Sequence, residues 1–187
     1  MVKKINSCVF ISGNGSNLHS IIKNSRDYNF PITIKLIVSN NKNAFGLRYA
    51  KKYNIPFKFY SSNNQTSFEK KCLIELKNRG IKFLCLAGFM RILSNNFINK
   101  FKHKIINIHP SLLPKFKGLN THERALKNNE KFAGCTVHYV NQKFDSGKII
   151  LQKKIPIHNN DTKNSLKERV LKQEHNIYSK AIRLIFS

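Results

Sequence analysis

Acidic residues are scarce in this chain. Its 187 residues include 9 Asp and Glu against 34 Lys and Arg, a formal net charge of +25. Three readings compete for that imbalance. The first is compositional drift: the lysines are scattered and form no single block, Asn occurs 24 times, Trp is absent, and the favoured residues have AT-rich codons. The second is a basic surface that steers anionic small molecules into a cleft. The third is nucleic-acid binding. The dispersal ranks drift first and nucleic acid last.

Long apolar runs are missing too. Nothing approaches the roughly 18 consecutive apolar residues of a membrane span. The start, MVKKINSCVFISGNG, superficially resembles a signal peptide, but its apolar run is short, breaks at Ser12-Gly13 and is followed by no small-residue cleavage site. A first β-strand is the better reading. The 4 cysteines, Cys8, Cys72, Cys85 and Cys135, include no C-x-x-C pair. A zinc site is therefore not expected. Three of the four lie in strand-like apolar runs, which points to reduced, buried thiols in a cytosolic protein. With 41% hydrophobic and 23% charged residues and no repeat, low-complexity tract or Pro/Gly-rich linker, the chain reads as one globular domain over 1–187.

Strand and helix patterns alternate. Strands are expected at 8–13, 32–40, 57–60, 82–88 and 104–109, and helices at 16–25, 44–54 and 66–80. The near-continuous apolar run at 82–88 suits a central parallel strand. After residue 118 the pattern changes to a helix (121–129), two strands (132–141 and 147–157) forming an antiparallel pair, and a long amphipathic helix (162–186). The fold class is therefore α/β: a doubly wound, mostly parallel, Rossmann-like sheet with an antiparallel C-terminal strand pair. Ligands in such sheets bind at the carboxyl ends of the strands. Three unusual segments fall there, SGNGSN (12–17), AGFMRIL (87–93) and NIHPSLLP (107–114), and they are expected to converge on one cleft.

SGNGSN follows a strand and opens a helix. Gly13 and Gly15 permit close backbone approach, and the helix-start N–H groups with Ser16 and Asn17 suit a phosphate. A tight turn with a capping Ser or Asn explains the same spacing, and it is not a Walker motif. Asn107 and His109 are two apart at a strand end, so their side chains share a side. An amide and an imidazolium together can stabilise an oxyanion and deliver a proton. A polar turn with a backbone-bonded His is the plainer alternative. His138, inside a strand, reads as a half-exposed sheet residue. Asp145 lies in a Phe-Asp-Ser-Gly turn, where Asp is common; next to His109 it would orient the ring and favour its protonated form.

Five ordered stretches, ISGNGSNL, LAGFMRILS, NIHPSLLPKFKGLNTHERAL, FDSGKIILQKKIPI and QEHNIY, resemble the phosphoribosylglycinamide formyltransferase family over essentially the whole chain. The resemblance implies formyl transfer from 10-formyltetrahydrofolate, as cosubstrate, to the amino group of glycinamide ribonucleotide in de novo purine synthesis. It implies a cytoplasmic enzyme, monomer or homodimer, with no metal, no specific nucleic acid and no membrane partner. Position by position, it assigns Asn107, His109 and Asp145 to catalysis. It assigns Gly15, Ser16 and Asn17 to the substrate phosphate. Met90, Arg91, Ile92 and Leu93 fall to folate, with Asn107 touching it as well, and Glu174 to the substrate amine. One departure is visible: Gln65 or Thr66 stands where the family commonly has a folate-contacting Arg.

Methionyl-tRNA formyltransferase shares the pattern around Asn107, His109 and Asp145, but no C-terminal barrel for tRNA is expected here. Formyltetrahydrofolate deformylase would need an N-terminal regulatory domain, and the first strand already begins at residue 5. A basic nucleic-acid-binding module would cluster its cations with aromatics on one face, whereas the aromatics here fall in core-like runs.

Overall fold

The computed structural model describes residues 4–187; the first residues of the basic start, 1–3, lie outside it. Seven strands and six helices are described: β1 (Ile5–Ile11), α1 (Ser16–Ser25), β2 (Ile32–Ser39), α2 (Leu47–Lys52), β3 (Phe57–Phe59), α3 (Gln65–Asn78), β4 (Phe83–Leu86), α4 (Asn95–Phe101), β5 (Lys104–His109), α5 (Thr121–Lys127), β6 (Phe132–Tyr139), β7 (Ile149–Pro156) and α6 (Lys163–Ile185). The strand order is β3-β2-β1-β4-β5-β6-β7. The chain starts at β1, winds outward through β2 to β3, then returns and winds the other way from β4. That reversal is the mark of a doubly wound sheet, and the crevice beside it is where such sheets take ligands. The expected α/β class and its antiparallel C-terminal pair are both present.

Two compact units divide the chain. One runs up to Ile106 and takes in Phe186; the other is Asn107–Ile185 with Ser187. In the first, β1 pairs in parallel with β2 on one side and β4 on the other. A strand with parallel neighbours on both sides is apolar where both faces are covered, and Cys8 to Ile11 are fully buried. β3 is a short edge strand, exposed along its length. α1 buries Leu18, Ile21 and Ile22, the spacing of one helix face. α3 is capped by Asn64, whose Oδ1 accepts from the Ser67 N–H at 2.9 Å, and buries Phe68, Cys72 and Leu76. It ends before Gly80, which carries a φ of +58°.

α4 was not legible as a helix. It has seven residues, and its signals are a Ser94 cap, whose Oγ accepts from the Phe97 N–H at 3.1 Å, and a buried Phe97 and Phe101 one turn apart. A helix this short carries too few apolar positions to show a period.

In the second unit, β6 and β7 run antiparallel with Cys135 opposite Lys153, and a bulge falls between Val137 and His138. α6 buries Leu166, Val170, Ile177, Tyr178, Ala181 and Ile182. All four cysteines are free and buried. Burial, the largest cause in each case, raises the thiols of Cys8, Cys72 and Cys135. Among the described residues no helix is long and apolar enough to cross a membrane.

Candidate active site

β5 delivers its last residues, Asn107 and His109, and Pro110 follows with no N–H to continue the ladder. The loop after it is tied back by the β6–β7 pair. Thr136 Oγ1 donates to Ser111 O at 2.6 Å and accepts from Leu113 N–H at 3.2 Å. Gln152 Nε2 donates to Thr136 Oγ1 at 2.8 Å and to Leu113 O at 3.1 Å. Ser111 Oγ closes the turn on Lys115 O at 2.7 Å. The loop then turns through Phe116, at a φ of +54°, which brings its carbonyl 3.0 Å from His109 Nε2. A carbonyl only accepts, so Nε2 carries a proton and donates it there. Nδ1 is the nitrogen left for chemistry.

Asp145 faces that nitrogen. Its Oδ2 lies 3.4 Å from His109 Nδ1, and the same oxygen accepts from the Gly118 N–H at 3.1 Å. His109 and Asp145 are 5% and 8% exposed, so the pair works in a poorly screened setting. The 3.4 Å separation is long for a hydrogen bond. Nδ1 faces the Asp145 carboxylate across that gap.

His138 completes the group, against the sequence expectation of a half-exposed sheet residue. It is 2% exposed. Its Nδ1 lies 2.9 Å from Tyr139 O and its Nε2 3.3 Å from Asn107 Nδ2, with Asp145 Oδ1 at 3.7 Å from the same Nε2. Burial, outweighing the Tyr139 carbonyl and the Asp145 charge, lowers its pKa from the usual histidine value. A neutral ring with Nδ1–H on Tyr139 O leaves Nε2 as an acceptor. Asn107 must then present its NH₂ to it. One amide proton is bound there, and the second is left for a further acceptor. Both faces of β6 are buried from Cys135 to His138, so no period-two alternation marks His138 in the sequence.

The remaining expected positions divide between the units. In the first, Gly15 carries a φ of +72° at the start of α1, and Asn17 is buried while Ser16 is half-buried. A Cβ at Gly15 would stand 2.5 Å from Gly46 Cα, so the turn is pressed against a second glycine that sequence reading overlooked; the Gly46 N–H donates to Gly13 O at 3.0 Å. Ser12 laces this turn to the segment after β4: its N–H donates to Gly88 O at 3.1 Å and its Oγ accepts from Met90 N–H at 2.8 Å. The expected meeting of segments 12–17 and 87–93 is thus observed at the β1/β4 reversal. Met90 and Ile92 are 66% and 62% exposed, Arg91 is exposed with its guanidinium on Ser62 O at 3.0 Å, and Leu93 is buried. Gln65, one of the two residues at the departure noted above, donates to Ile92 O at 3.0 Å. In the second unit, Glu174 lies on the buried face of α6, where its charge helps raise the Cys135 thiol.

On the far side of the 110–120 loop is a cavity of about 300 Å³, lined by Pro110, Leu112, Phe116, His122 and Phe132 among others. Burial, with Lys167, His109 and Lys163 nearby, pushes the His122 pKa down to about 4. Asn107, His109 and Asp145 do not line this cavity.

The family model described as formyl transferase matches residues 5–182. The chain is 42% identical to the human trifunctional purine biosynthetic protein adenosine-3 over 188 residues, which is 99% of this chain and 19% of that protein. It therefore spans about a fifth of that relative's length. It is 38% identical over 177 residues to the phosphoribosylglycinamide formyltransferase of Escherichia coli (strain K12), covering 93% of this chain and 84% of that one. Among solved structures, the phosphoribosylglycinamide formyltransferase of Anaplasma phagocytophilum superposes with a TM-score of 0.91 at 43% identity, covering 98% of this chain and 87% of that one.

Proposed function

The chain belongs to the formyl transferase family, and on that premise we propose that residues 1–187 act as one catalytic domain that moves the formyl group of 10-formyltetrahydrofolate to the amino group of glycinamide ribonucleotide in purine biosynthesis. The observation that carries this reading is the separate fixing of two donors. His138 holds one N–H of the Asn107 amide and leaves the other for a further acceptor, and the Phe116 carbonyl occupies His109 Nε2 while Nδ1 faces Asp145.

The substrate amine attacks the formyl carbon, and negative charge builds on the formyl oxygen; as the tetrahedral intermediate collapses, the bond from the formyl carbon to N10 breaks and a proton passes from the attacking nitrogen to N10 of the departing tetrahydrofolate. Asn107 Nδ2–H and His109 Nδ1–H donate to the formyl oxygen. Preorganised donors of this kind supply about 10² to 10³ in rate each. Asp145 holds the ring and offsets the positive charge it bears when both ring nitrogens carry protons. Gly15, Ser16 and Asn17 bind the ribonucleotide phosphate with helix-start N–H groups. Met90, Arg91, Ile92 and Leu93 bind the pterin end of the folate, which Asn107 also touches, and Glu174 holds the substrate amine. No metal takes part. Both substrates are anionic, so the charge of +25 aids their capture with no specific nucleic acid or membrane partner. The enzyme works in the cytoplasm as a monomer or homodimer.

The test is an assay of purified protein with 10-formyltetrahydrofolate and either glycinamide ribonucleotide or methionyl-tRNA. Formylated ribonucleotide is expected. Formylation of the tRNA alone would overturn the reading.

A further inference from the structure

The first unit holds a buried carboxylate that the proposed mechanism does not use. Glu69 is 4% exposed and lies in the second turn of α3. Its Oε1 accepts from the Ser94 backbone N–H at 2.7 Å and from Gln65 Nε2 at 3.0 Å, and its Oε2 accepts from the Ser94 hydroxyl at 2.5 Å. Gln65 Nε2 is shared with Ile92 O. All of these partners either belong to the stretch between β4 and α4 or hold on to it. At the other end of the stretch, Ser12 Oγ accepts from Met90 N–H. Segment 90–94 has no ladder or helix of its own, yet side chains from outside it grip both of its ends.

What the grip presents is unusual. Met90 and Ile92 stand about two-thirds exposed between the two anchor points. A free loop would fold such apolar side chains away from water. A loop held in place with its apolar side chains outward lowers the ordering cost of binding a flat, partly apolar ligand. A capping role alone explains less: Ser94 Oγ already caps α4 through the Phe97 N–H, and a cap does not need a buried carboxylate taking both the N–H and the hydroxyl of the capping residue.

We infer that Glu69 is a positioning residue for folate binding: through Ser94 and Gln65 it holds Met90–Ile92 in the ligand-binding shape before the folate arrives. This rests on the assignment of residues 90–93 to the folate made above. Glu69 touches no substrate and acts through the loop.

The test uses the whole enzyme and two variants, Glu69→Gln and Gln65→Ala. Glu69→Gln preserves volume and removes the charge. Gln65 is exposed, so Gln65→Ala folds even if the buried change does not. Three quantities are read: amide hydrogen exchange across 89–94 without ligand, affinity for 10-formyltetrahydrofolate by calorimetry, and kcat at saturating folate. Faster exchange in 89–94 is expected, with folate affinity down roughly tenfold for Glu69→Gln, the scale of one charge-assisted hydrogen bond, and less for Gln65→Ala. kcat and ribonucleotide affinity are expected to stay within about twofold, since only ground-state folate binding is affected. Unchanged exchange in both variants overturns the inference. So does faster exchange with unchanged folate affinity, or a fall in kcat with affinity intact. Parent enzyme that binds no folate would overturn the functional reading itself, and this inference with it.

Discussion

Asn107 Nδ2 lies 3.3 Å from His138 Nε2, whose ring is held by the Tyr139 carbonyl 2.9 Å from Nδ1. An asparagine amide can present either its oxygen or its NH₂. The neutral ring at 138 settles which. His138→Phe should therefore keep the packing but free the amide to turn. kcat is expected to fall about tenfold with little change in either substrate affinity, less than the roughly 10² to 10³ lost when the donor itself is removed in Asn107→Ala. Parent-like kcat in His138→Phe would show that the amide needs no such guide.

In the proposed mechanism His109 has one nitrogen to offer, because the other is bound to Phe116 O. His109→Ala should lower kcat about 10² to 10³ while leaving both binding constants nearly unchanged, since the bond to the oxyanion forms in the transition state. Asp145→Asn can still accept from Gly118 N–H, so it should fold like the parent and lose kcat alone. Steady-state kinetics with separate binding measurements check both. A fully active His109→Ala would remove the residue from the mechanism.

The turn at Gly15 is more constrained than its spacing suggests. Any side chain there meets Gly46 Cα at 2.5 Å and a φ of +72°. Gly15→Ala should displace the N-terminus of α1 and weaken ribonucleotide binding at least tenfold, with folate binding largely kept. Calorimetry with each substrate separates the two. Unchanged ribonucleotide affinity would remove this loop from the phosphate site.

His122 makes an acid-stability prediction. Its Nδ1 is buried without a hydrogen-bond partner, and its pKa in the folded protein is pushed down to about 4 from an ordinary 6.5. The unfolded chain therefore takes up the proton first as pH falls. The group is neutral in both states above 6.5, and its penalty to stability grows from 6.5 down toward 4. His122→Leu should flatten the loss of stability across that window and change little at pH 8. Urea midpoints of parent and variant at pH 8, 6 and 4.5 test this. Parallel curves would show that protonation of His122 is not what weakens the fold in acid.

Much of the fold was legible because its signals are local. The apolar run at β1, the Leu18–Ile21–Ile22 face of α1 and the glycine after α3 each follow from spacing or turn chemistry within a few residues. α4 escaped because seven residues show no period. The motif pointed to His109 and Asp145, which the structure places 3.4 Å apart, and to Asn107, whose amide meets His138. His138 did not stand out, because one histidine in a strand looks the same whether it faces water or an amide.

The sequence by itself determined where most strands give way to helices and that the thiols are buried, and its motifs singled out Asn107, His109 and Asp145 as candidates. It could do so because burial and element type repeat with the periods of helix and strand. Only the tertiary structure decided how those side chains are held. The Phe116 carbonyl chooses the free nitrogen of His109, His138 chooses the free end of Asn107 from 31 residues away, Gly46 closes on Gly15, and Glu69 grips Ser94 from 25 residues away. Each of these is a hydrogen bond or a contact between segments distant in the chain. Its distance and direction are set by how the elements pack, and no spacing along the sequence encodes them.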